Sequence, residues 1–136
     1  MKIFCLLIFS FVLLSANNYA LKLYEKLLLP LFHDVPIVIF ADKESKEILQ
    51  KSDMFEVKSS CSTLVDVLVG SQFTNLSQNC ISKPLFATTY RSYSENNNAF
   101  GAFYWRKGRP QIHFKKAILK KFHLKLSKNL QRFIDE

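Results

Sequence analysis

The side chains able to do chemistry are few and scattered. Histidine occurs at 33, 113 and 123 only, with no HExxH helix to hold zinc and no CxxC pair. There is no glycine-rich phosphate loop and no G-x-S-x-G nucleophile turn. No catalytic constellation emerges, so the chain reads as a non-enzyme with neither metal nor cofactor. His113 falls in a predicted strand and reads as a satisfied sheet residue. Asp66 lies inside a β-rich run, "TLVDVLVG", where it can serve a site, point out of the sheet or end a strand.

Charge carries the stronger signal. The ten basic residues 106, 107, 109, 115, 116, 120, 121, 125, 128 and 132 fall in a stretch without a single acid, and the remainder of the chain is net acidic. A lysine-rich amphipathic helix is often only a solvated face. The asymmetry nevertheless favours an acidic protein partner, an anionic surface or an anionic ligand. Within it, "GAFYWRKGRP" (101–110) sets Phe103, Tyr104 and Trp105 beside Arg106, Lys107 and Arg109. These three cations are the candidate partner-binding residues. A second group, Arg91 with Asn96, Asn97 and Asn98, offers candidate ligand-binding side chains in a polar stretch.

The compartment follows from the N-terminus. Lys2 precedes an apolar run from Ile3 to Leu14, and "SANNYA" then supplies small residues. This is the layout of a secretory signal peptide. Residues 1–20 are expected to be removed, with a cut after Ala16 as the alternative. A run of twelve falls well short of the roughly 20 residues of a spanning helix. The periplasm is the expected location, and nucleic acid is not an expected partner. Cys5 leaves with the signal, and Cys61 and Cys80 remain. An even pair in an exported domain predicts a disulfide, closing a loop of about 20 residues worth roughly 3 kcal/mol. The alternative is two buried thiols.

Residues 21–136 suit one domain. "LKLYEKLLLPLF" (21–32) repeats leucine at helical spacing and breaks near Pro30. Pro36 to Phe40 reads as a strand buried on both faces, and Asp42 as the N-cap of a helix over "KESKEILQKS". Further strands are expected at 54–59, 63–70 and 84–90, with a polar loop at 71–82 that has room for one helical turn. "RSYSENNNAFG" reads as an exposed loop. "AFYW" and "QIHF" flank the turn "RKGRP" as a β-hairpin, with Phe103 and Trp105 on one face and Ala102 and Tyr104 on the other. Two helices are expected after Lys115, the second capped by Ser127. The sum is an α/β domain: a mixed central sheet flanked by helices, with a C-terminal hairpin followed by two helices.

The segment "IHFKKAILKKFHLKLSKNLQRFI" (112–134) resembles the C-terminal signature of the YfiR-like family. Ile112 and Phe114 fit its strand and Ala117 its helix. Leu124, Leu126 and Ser127 fit its turn, and Leu130 and Arg132 its last helix. The order of the earlier elements is similar as well. Two departures stand out: His123 replaces the turn glycine, and Gly101 alone stands where paired glycines are expected. The resemblance implies a small periplasmic regulator acting on the periplasmic part of a membrane-bound signalling protein. The alternatives are a small-ligand-binding periplasmic domain and a structural component of an envelope assembly.

Overall fold

The computed structural model describes residues 18–135; most of the expected signal segment thus lies outside the described residues. A helix, α1, runs over 18–28 and ends in a turn at Leu29 and Pro30. After a cis Val35–Pro36 bond, β1 (Ile37–Ala41) leads through the N-cap Asp42 into α2 (Lys43–Leu49). Then come β2 (Phe55–Lys58), β3 (Val67–Val69), α3 (Gln78–Ile81), β4 (Leu85–Ala87) and α4 (Tyr90–Glu95). The hairpin β5 (Ala99–Arg106) and β6 (Arg109–Lys115) follows, then α5 (Lys116–Lys121), a 3-10 helix (Lys128–Phe133) and β7 (Ile134–Asp135). Among the described residues no helix is long and apolar enough to cross a membrane.

The seven strands of the described residues form one mixed sheet in the order β2-β1-β3-β4-β5-β6-β7. The first five are mutually parallel, and β6 runs antiparallel to β5. The order 2-1-3-4-5 is that of a doubly wound sheet, whose direction of growth reverses between β1 and β3. Helices accordingly cover both faces. Ile37, Ile39 and Ala41 of β1 face a core that includes Leu27 and Leu28 of α1, Leu49 of α2 and Leu119 of α5. Val38 and Phe40 face the other core, with Cys80 of α3 and Tyr93 of α4. This alternation is the period-2 pattern of a strand buried on both sides.

The strands expected at 63–70 and 84–90 shorten to Val67–Val69 and Leu85–Ala87, and two segments differ in kind from expectation. The loop expected from Arg91 onward begins as a helix: Thr89 accepts the N–H of Ser92 as its N-cap, and Tyr93 is buried beneath it. After α5 the chain turns into a 3-10 helix and a seventh strand pairing with Phe114 and Lys115. The turn between them is a Schellman motif. His123, at φ 56°, sits in the left-handed region, with Leu124 N–H on the Leu119 carbonyl and His123 N–H on that of Lys120. This is the backbone for which glycine is the usual choice.

Candidate functional site

Three places gather polar or exposed aromatic groups. The first is the carboxyl edge of the parallel strands, beside the reversal point where ligands bind in open α/β sheets. Asp42 leaves β1 there. One carboxylate oxygen accepts the N–H of Ser45 at 3.0 Å, and the other accepts those of Ser71 at 2.8 Å and Gln72 at 3.1 Å. Burial alone would raise its pKa, but the bonds from Ser71, Ser45 and Gln72 outweigh it and hold the carboxyl below its ordinary value. Gly70 makes this approach feasible: it lies at φ 141°, and a Cβ there would stand 2.5 Å from the Asp42 carboxylate. Asp42 is therefore an ionised staple between β1 and the chain leaving β3. Asp66 does similar work at the other end of these strands, accepting the Val38 N–H at 2.9 Å.

Beside the staple lies an open cleft of about 520 Å³, lined by Ser71, Gln72, Thr89, Arg91, Ser92, Glu95 and Asn96. Of the expected ligand-binding residues, Arg91 and Asn96 border it. Arg91 makes an exposed pair with Glu95 at 3.4 Å. Asn98 is engaged elsewhere: it donates to the Ile81 carbonyl at 2.9 Å and accepts from Lys121 at 2.7 Å. Asn97 is exposed and does not line the cleft.

The second place is the end of the β5–β6 hairpin. Lys107 and Gly108 both have positive φ, 52° and 76°, the pattern of a two-residue I′ turn, whose twist matches that of the strands it joins. Pairing with β4 stops at Ala102, and pairing with β7 involves only Phe114 and Lys115. Residues 103–112 therefore extend beyond both neighbours. Arg106, Lys107 and Arg109 are exposed at the tip. Among the described residues none of the three forms an ion pair. Phe103 is buried, with its ring edge-on to Tyr24 at 5.3 Å. Trp105 is 46% exposed and packs on Phe103 and on Tyr19, the latter within the segment expected to be removed on export.

The third is a cluster that sequence reading did not assemble. His113 meets the Tyr104 hydroxyl through Nε2 at 3.0 Å and the Asp135 carboxylate through Nδ1 at 3.1 Å. Tyr93 donates its hydroxyl to Asp135 at 2.7 Å. Burial first, and the carboxylate second, push that phenol far above its usual range. Lys115 donates to the Tyr93 carbonyl and lies 4.7 Å above the Tyr93 ring. Both nitrogens of His113 are thus engaged, as expected of a sheet histidine.

Cys61 and Cys80 form a disulfide, with Cα atoms 6.1 Å apart, tying the loop after β2 to α3. Such a bond accords with an extracytoplasmic setting. Comparison with protein-family models, curated proteins and solved structures returned no match for the chain.

Proposed function

We propose that this chain is an exported, non-enzymatic recognition domain. It acts in the periplasm on the periplasmic part of a membrane signalling protein, and it grips an acidic surface of that partner with the end of the β5–β6 hairpin. The observation carrying this reading is the tip itself: three exposed cations, unpaired among the described residues, on a hairpin that outruns its neighbours. Half-exposed Trp105 adds an apolar anchor beside them, and aromatic and arginine side chains are the usual centres of binding energy at interfaces. The charges steer and orient the encounter, so binding falls as salt screens them.

The test is crosslinking in intact cells to identify the captured protein, then pull-down without crosslinker at low and high salt, with the wild type and the variant R106Q/K107Q/R109Q. Loss of the same envelope protein from the variant, and from the wild type at high salt, is the expected result. A folded triple variant that captures that protein normally would reduce the tip to a solvated turn. N-terminal sequencing of the recovered protein tests export in the same experiment, and a product starting at Met1 in the cytosol overturns it.

A second reading, a small-ligand domain, draws on the cleft bordered by Arg91 and Asn96 at the carboxyl edge of the sheet. A thermal shift of the isolated protein on ligand addition, abolished by Arg91→Gln, supports it over the first.

A further inference from the structure

The hairpin has a second face, opposite to Trp105. Its register sets Arg106 against Arg109, Tyr104 against Gln111 and Ala102 against His113. Directly opposed residues project to the same side. That face therefore runs from two guanidiniums at the tip, through a phenol and a carboxamide, to an imidazole. Tyr90 of α4 supplies a wall: it is 58% exposed, its ring 6.3 Å from Tyr104 and 6.2 Å from His113, tilted 65° to each. Tyr90, Tyr104, Arg106, Gln111 and His113 line a pocket of about 440 Å³, within the size range of small-molecule sites.

We infer that this pocket binds a small planar aromatic carboxylate, with its ring against Tyr90 and Tyr104 and its anion toward Arg106. Three observations converge. A large aromatic ring stands exposed at the mouth of a concave surface, where stacking is its main available gain. Two like charges directly opposed across strands cost stability, and no carboxylate of the described residues answers them with an ion pair. Gln111, between the rings and the guanidiniums, offers both a donor and an acceptor to fix orientation. Asp135, at the His113 end of this face, is held by His113 and Tyr93. The site differs from the Arg91–Asn96 cleft; it shares Arg106 with the tip of the hairpin, and the titration below reads it with no protein partner present.

The experiment titrates the full chain with 4-hydroxybenzoate, cyclohexanecarboxylate and 4-hydroxybenzamide while following the ring proton resonances of His113 by NMR. The first probe has ring and charge; the others have charge without a flat ring and ring without charge. The expected result is saturable movement of the His113 resonances by 4-hydroxybenzoate, with each control weaker by about fivefold or more, the worth of one stacking or cationic contact. Tyr90→Ala and Arg106→Gln should each weaken the first probe by a similar factor, and Arg91→Gln should leave it unchanged. Equal binding of all three probes, or His113 resonances that do not move, overturns the inference. Should Tyr90→Ala fail to fold, the probe series on the wild type and Arg106→Gln decide it alone.

Discussion

Replacing Asp42 tests how the carboxyl edge of the sheet is held. The side chain accepts three backbone N–H groups, one from its own helix and two from residues 29 and 30 positions away. Asp42→Ala removes an N-cap, worth about 1 kcal/mol. It also removes two bonds to a charged acceptor, together worth roughly 1–2 kcal/mol because Gln72 is exposed and regains water. The expected loss is about 2–3 kcal/mol at neutral pH, and about 1 kcal/mol for Asp42→Asn, which keeps one acceptor oxygen. The pH dependence has a definite sign. The folded carboxyl titrates below its ordinary value, so its stabilisation is fully present above the ordinary carboxylate range and is lost as pH falls through the folded value. The gap between wild type and Asp42→Ala should therefore close in strong acid. Urea unfolding at neutral pH and at successively lower pH, with unchanged m-values, measures this. A gap under 0.5 kcal/mol at neutral pH, or one that stays constant into acid, would refute the staple.

Phe103→Ala empties a buried site beside Tyr24 and should cost about 3–5 kcal/mol, whereas each glutamine replacement at the tip should stay within about 0.5 kcal/mol; thermal melts compare them directly. His123→Gly relieves a left-handed non-glycine residue and should raise stability by about 1 kcal/mol, read as a higher denaturant midpoint; a lower midpoint would mean that the imidazole holds the turn. Intact-mass analysis should place the native protein about 2 Da below its reduced form, and reduction should cost roughly 3 kcal/mol. Free alkylation of both Cys61 and Cys80 in native protein would exclude the bond.

Elements governed by neighbouring residues were legible from the chain alone. The unit from Ile37 to Leu49 announces itself through a branched apolar run followed by Asp42, because a strand buried on both faces and a helix cap are both local patterns. The hairpin is legible for the same reason, although its turn is only Lys107 and Gly108 within the expected RKGRP, and the structure, not alternation, makes Phe103 the buried member of its face. Helix α4 is not legible in this way. It has six residues, asparagines follow it, and its buried Tyr93 is anchored to Asp135, which lies 42 positions further along. β3 and β4 have three residues each, too short for periodicity to bound them. Strand order likewise depends on which edges meet once helices cover both faces, a choice made by packing across the whole chain. So the residue types of the candidate sites were visible early. The union of Asp42 with Ser71 and Gln72, and of His113 with Asp135, was decided by tertiary structure, because each joins segments that only the closed sheet brings within hydrogen-bond reach.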